Sequence, residues 1–101
     1  MAYTVFYFDD VLGDVQQAKV WYNKQKDGLE VEFAMCIEKA IEQIIKMPTA
    51  YSIRYKNVRI AHPKVFPYNI HFYIDDPIEA IVITAIVHIK RHPDFAKQRL
   101  L

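Results

Sequence analysis

At Pro48 the spacing of apolar residues changes from three-to-four to two, so the chain should place helices first and strands after. Before it, Val11, Val15, Ala18 and Tyr22 recur at helical spacing, with Leu12 and Trp21 widening the stripe of a helix from Val11 to Lys26. A second helix, from about Leu29 to Met47, aligns Leu29, Phe33, Cys36, Ile37, Ala40, Ile41 and Ile44, with Glu30, Glu38, Lys39 and Glu42 opposite. Asp27-Gly28 between them supplies a residue that tolerates a left-handed backbone, so the two helices form a hairpin.

After Pro48, Ile53 and Tyr55, then Val58 and Ile60, then Ile70, Phe72 and Ile74, then Ile81, Ile83, Ala85 and Val87 alternate as strand residues do. Lys56-Asn57 and Asp75-Asp76-Pro77 are turn sequences, and His62-Pro63-Lys64 ends a strand or makes a bulge. Short connections predict antiparallel neighbours. Thr4 to Phe8 reads as a first strand, with Asp9 or Asp10 capping the helix that follows. The expected architecture is α+β, an N-terminal helical hairpin packed on an antiparallel sheet, with one sheet face left for solvent or a partner. A chain of 101 residues supports one such domain, spanning 1–101.

The net charge of +1 conceals a partition. Up to Ile45 the acids Asp9, Asp10, Asp14, Asp27, Glu30, Glu32, Glu38 and Glu42 outnumber Lys19, Lys24, Lys26 and Lys39. From Lys46 to Ile74 there is no acid, while Lys46, Arg54, Lys56, Arg59 and Lys64 stand with His62 and His71. A local basic patch attracts phosphates or an acidic polypeptide, whereas the small total argues against a whole surface built to grip nucleic acid. Cys36, the only cysteine, excludes an intrachain disulfide framework and fits a reducing cytoplasm; on the apolar stripe it is expected to be a buried, inert thiol. The apolar run Ala80 to Val87 is far shorter than the roughly 20 residues of a membrane span, and Asp9 and Asp10 interrupt any signal-like start. His62 and His71 lack the spacing and carboxylate company of a zinc site, and nothing suggests a small-molecule cofactor.

Within this order of elements stand Asp14-Val15, Ala18, Trp21-Tyr22, Gly28-Leu29, Phe33, Ile44, Pro48, Tyr51, Arg59, Phe66-Pro67-Tyr68, Ile70, Phe72, Ile86, His88, Arg91 and Pro93. Together they resemble the RelE/ParE toxins, along almost the whole chain. The resemblance implies a helical hairpin on a twisted antiparallel sheet and a toxin silenced by a cognate antitoxin. It also implies one of two targets: messenger RNA on the ribosome, which is cut, or DNA gyrase, which is inhibited.

Metal-free RNA cleavage needs a base, an acid and cations for the phosphorane charge, and Arg59, Lys64, His88 and Arg91 are the candidates. Strand alternation places His88 opposite Val87, where it could meet Arg91 and Arg59 at an edge of the free face. His88 can equally be an ordinary strand-end histidine. RelE-type nucleases usually carry a terminal aromatic hydroxyl, whereas Phe95 here can stack on a base but cannot move a proton. That departure favours the gyrase-directed branch over an endoribonuclease, and a non-toxic binding protein keeping the fold is a further reading. Arg54, Arg59, Lys64, Arg91 and Phe95 are the expected contacts for an acidic antitoxin segment. Phe66-Pro67-Tyr68 reads as core, as do Trp21 and Tyr22, although an exposed aromatic would suit an antitoxin helix.

Overall fold

The computed structural model describes residues 3–100; Met1, Ala2 and Leu101 lie outside the described residues. Helix α1 (Asp9–Gln25) and helix α2 (Leu29–Lys46) form the hairpin, and Gly28 between them takes φ +89°, the left-handed conformation its sequence position called for. The start of α1 differs from expectation. Phe8 occupies the cap position without a side-chain bond, and Asp9 and Asp10 lie inside the first turn. There their charge faces the positive end of the helix dipole instead of capping it. Pro48 stops α2 and opens a short 3-10 turn, Pro48–Ala50.

Five strands follow the expected segments: β1 (Thr4–Tyr7), β2 (Ile53–Tyr55), β3 (Val58–Ala61), β4 (Tyr68–Asp75) and β5 (Ala80–His88). Their spatial order is β1-β5-β4-β3-β2. From β2 to β5 neighbours are antiparallel, but β1 lies parallel to β5, with Thr4 opposite Ala80 and Tyr7 opposite Ile83, so the sheet is mixed. Only a long connection can set two parallel strands side by side. Here everything from the hairpin to β4 forms that connection, so short-range turn chemistry gave no sign of the pairing.

The hairpin covers one face of the sheet. Phe33, Ile44, Ile70, Phe72, Ile81 and Ile83 are sealed from solvent at the centre of this core. Tyr22, Phe33, Phe66 and Tyr68 form an aromatic cluster beside them, with Tyr22 stacked on Phe33 at 5.2 Å and edge-on to Phe66 at 4.9 Å. The Phe66-Pro67-Tyr68 motif is therefore core. Trp21 and Leu12 are not: they are 59% and 76% exposed, because they sit beside the buried stripe of α1 instead of on it. Cys36 is half-buried and its thiol donates to the Lys64 carbonyl at 2.7 Å, so it is less enclosed than its place on the stripe implies.

A bulge divides β5. His71 pairs with Ala85 and Phe72 with Ile83, leaving Thr84 as the extra residue. One inserted residue exchanges the faces of everything beyond it. Ile81, Ile83 and Ile86 therefore pack under the hairpin, whereas Ala85 and Val87 turn to the other face, where they meet Ala96 of a short helix α3 (Asp94–Lys97). The four residues grouped by alternation on β5 thus belong to two faces. Among the described residues no helix is long and apolar enough to cross a membrane.

Burial sets the expected cost of substitution. Phe33→Ala should destabilise the fold by about 3 to 5 kcal/mol, as emptying a packed aromatic site does. Trp21→Ala should change stability by no more than about 0.5 kcal/mol. Urea unfolding of the two variants beside the parent checks both, and a Trp21→Ala loss comparable to that of Phe33→Ala would contradict this description of the core.

Candidate functional site

The sheet face away from the hairpin holds a cavity of about 250 Å³ between the strands and the segment around α3. Its charged lining is cationic: Arg54 from β2, Arg91 after β5 and Lys97 from α3. No Asp or Glu is among its lining residues. Its floor carries a polar pair. His71, in the middle of β4, is 6% exposed, and its Nδ1 shares a hydrogen bond of 2.8 Å with the Tyr55 hydroxyl. Burial, followed by the charges of Arg99 and Arg54, lowers the His71 pKa from 6.5 to about 4, so the imidazole is neutral at pH 7. Burial likewise raises the Tyr55 pKa, which keeps the hydroxyl protonated.

The segment after β5 forms the opposite wall. Ala96 packs on Ala85 and Val87, and Lys97 Nζ lies 5.3 Å from the Tyr55 ring centroid. Both the Arg91 and Arg99 guanidinium groups stack on Phe95, at 4.2 Å and 4.9 Å. Arg99 then anchors the segment. Its two Nη atoms donate to Asp14 at 2.6 Å each, and Nη1 also donates to the Thr84 carbonyl at 3.0 Å. Asp14 Oδ2 in turn accepts the Ile86 N–H at 3.0 Å. The side chains of Arg99 and Asp14 are 11% and 9% exposed, and their hydrogen bond pushes the Arg99 pKa up, fixing its charge.

The sequence-expected residues divide between places. Arg54, His88 and Arg91 line the cavity, and Phe95 packs beside it. Arg59 does not reach it. It pairs with Phe72, whose side chain is in the hairpin-facing core, and its guanidinium donates to the Tyr51 carbonyl. Lys64 lies in the loop after β3, beside Cys36, Lys39 and His62 on the α2 side. His88 pairs with Tyr68 and packs edge-on to its ring at 5.4 Å, so its ring turns to the hairpin side of the strand end and the residue borders the cavity only at its edge. The displacement follows from the bulge: counting by twos from Ile81 assigns His88 to the free face.

Tyr55, His71, Lys97, Arg99 and Asp14 were the residues not singled out for the site. For His71 a signal existed, since alternation between Ile70 and Phe72 turns it from the core. No pattern marks Lys97 or Arg99, because a four-residue helix is too short to display a period. Among the described residues, no group of three or more His, Cys, Asp or Glu is arranged to hold a metal ion.

This fold is shared with solved toxin structures. A chain of the chromosomal ParDE toxin-antitoxin system of Pseudomonas aeruginosa superposes with a TM-score of 0.75 at 12% identity, over 88% of this chain and 98% of that one. A chain of the RelBE2 toxin-antitoxin complex of Mycobacterium tuberculosis gives 0.63 at 17% identity, over 87% and 99%. The free Escherichia coli toxin RelE, in a variant with two arginines replaced by alanine, gives 0.66 at 13% identity over the full length of both chains. No family model and no curated protein sequence matches the chain. The architecture is thus that of the RelE/ParE toxins, α+β with a helical hairpin on a five-stranded sheet.

The neutral state of His71 gives the fold a definite pH dependence. An unfolded histidine titrates near 6.5 and His71 in the fold near 4, so between these values the unfolded chain binds more protons. The contribution of His71 is complete above about pH 6.5 and is lost as the pH falls through about 4, by up to about 3 kcal/mol. His71→Gln should remove this part of the acid sensitivity. Urea midpoints of parent and variant between pH 4 and pH 7 test it, and parallel profiles would contradict a neutral, buried His71.

Proposed function

We propose that this chain is the toxin of a toxin-antitoxin pair, and that it acts by binding DNA gyrase in the manner of ParE rather than by cutting messenger RNA. A cognate antitoxin silences it by placing an acidic segment against the cationic cavity. The observation that carries the choice of target is the separation of the four nuclease candidates. Arg59 is held under the hairpin by the Tyr51 carbonyl and Lys64 stands on the α2 side, so neither can join Arg91 at one phosphorane. The higher TM-score of the ParDE chain, 0.75 against 0.63 and 0.66 for the RelBE2 and RelE chains, points the same way.

Support for the acidic partner comes from Arg54, Arg91 and Lys97, which converge where no carboxylate answers them. A second reading, ribosome-dependent RNA cleavage, is favoured by a different observation. A neutral imidazole hydrogen-bonded to a phenol, beside three cations, has the makings of a proton-transfer site. Its weakness is access, since His71 is almost wholly covered.

Expression of the chain in a bacterial host, with and without the neighbouring gene, separates these readings. The expected result is growth arrest with intact RNA and altered plasmid supercoiling, relieved by the neighbour. Arrest with cleaved messages would transfer the assignment to Tyr55, His71 and the cations around them. Unimpaired growth would mean a binding protein that keeps the fold without toxicity.

A further inference from the structure

The cavity has two walls of different origin. Arg54, Tyr55 and His71 stand on strands whose backbone bonds fix them, whereas Arg91 and Lys97 belong to a segment with a helix of only four residues. Such a helix is far below the length at which helices persist unaided, about 12 to 15 residues. Its packing against the sheet is small, Ala96 and part of Phe95 on Ala85 and Val87. What holds it is Arg99, through both oxygens of Asp14 and the Thr84 carbonyl. Asp10 adds a longer ion pair at 3.6 Å.

We propose that the cavity is a clamp for carboxylate groups of an acidic peptide whose movable jaw is the segment 91–97, and that Arg99 is the positioning residue that sets this jaw. Arg99 itself is not among the residues lining the cavity. Its side chain is spent on Asp14 and Thr84, and the ligand meets Arg54, Arg91 and Lys97 instead. Preorganisation is the physical gain. A jaw already held in place removes the ordering cost that a loose segment of rotamer-rich side chains would impose on binding.

The ligand class rests on the antitoxin reading above, but the positioning role does not. The test uses the full chain and hexaglutamate as the probe, with affinity measured by calorimetry. His71 is followed by NMR as a reporter on the opposite wall. Tyr55 from β2 shares its hydrogen bond, and the charges that act on it are those of Arg99, Arg54, Asp14 and His62. Arg99→Met should weaken the probe roughly tenfold or more by loosening the jaw. It should also raise the His71 pKa above its value of about 4, as cover and a nearby positive charge are lost. Arg99→Lys should recover part of the affinity. Lys46→Met removes the same unit of charge at the end of α2 and should leave both readouts unchanged, while Lys97→Ala should weaken the probe with the jaw still latched.

Because Arg99→Met removes a buried ion, Asp14→Asn provides a second variant that keeps an oxygen for the Ile86 N–H, and it too should weaken the probe. Parental affinity in both variants, with His71 unmoved in Arg99→Met, would overturn the proposal. If the parent ignores hexaglutamate while His71 still responds to Arg99→Met, the acidic ligand is wrong and the positioning role stands. Tighter binding of a thymidine hexanucleotide than of hexaglutamate would likewise overturn the ligand class.

Discussion

The ion pair between Asp14 and Arg99 completes a strand that the sheet leaves unfinished. β1 stops at Tyr7, and its last ladder contact is the Phe8 N–H on the Ile83 carbonyl. Beyond that point Thr84 bulges and the edge of β5 faces no strand. A buried backbone donor or acceptor without a partner costs about 1 to 3 kcal/mol. Asp14 takes the Ile86 N–H and Arg99 the Thr84 carbonyl, and the two side chains then neutralise each other. A buried ion pair is costly to desolvate and is sustained only when its remaining hydrogen-bonding groups are occupied. The bulge supplies those occupants, so the defect in the ladder and the buried charges satisfy one another.

The same bulge marks where the sequence stops being readable. Helices, hairpin turn and strand positions follow from the change of period at Pro48, since each face must be apolar wherever it is covered. Leu29 to Ile44 and Ile70 to Phe72 are legible for this reason. β5 is covered on both faces, by the hairpin and by α3, so from Ala80 to Val87 every residue but Thr84 is apolar and alternation carries no information about which way each residue points. The inserted residue, Thr84, is the one polar residue of the run, but a lone threonine does not by itself announce a change of face. The misplacement of His88 follows directly, whereas Arg59 is misplaced for a separate reason: on β3 it shares the hairpin-facing side with Ala61, and Ile60 faces the cavity. The parallel pairing of β1 was hidden for another reason: it joins segments more than seventy residues apart, and no local signal reports a contact at that range.

Of the site itself, the cationic character was legible and its assembly was not. Arg54 and Arg91 are visible as basic residues in or near strands. Their convergence depends on how the segment after β5 folds back, which Arg99 decides through a residue eighty-five positions away. His71 illustrates the difference between a residue's type and its state. In sequence it is one of four histidines without ligand spacing. In the fold, enclosure and two guanidinium charges keep it neutral, while Tyr55 occupies one ring nitrogen. A group of this kind contributes a fixed dipole at neutral pH, and the permanent positive charge of the cavity resides on Arg54, Arg91 and Lys97.

The partition of charge along the chain becomes a partition in space, because the halves fold into different layers. The hairpin carries the acids of the first half, whereas Arg54, Arg91 and Lys97 stand on the sheet face away from it. A net charge of +1 therefore describes neither surface. An acidic polypeptide approaching this molecule is repelled by the hairpin and drawn to the sheet, and low ionic strength strengthens the bias. Orientation of a partner thus requires no matching of sequence to the toxin fold. Chains with as little as 12% identity superpose on this one, so the framework tolerates almost complete exchange of side chains. What a given chain binds is then a matter of the few residues that the framework exposes together, and under the proposed reading these are Arg54, Arg91 and Lys97, gathered by a segment that an internal ion pair holds in place.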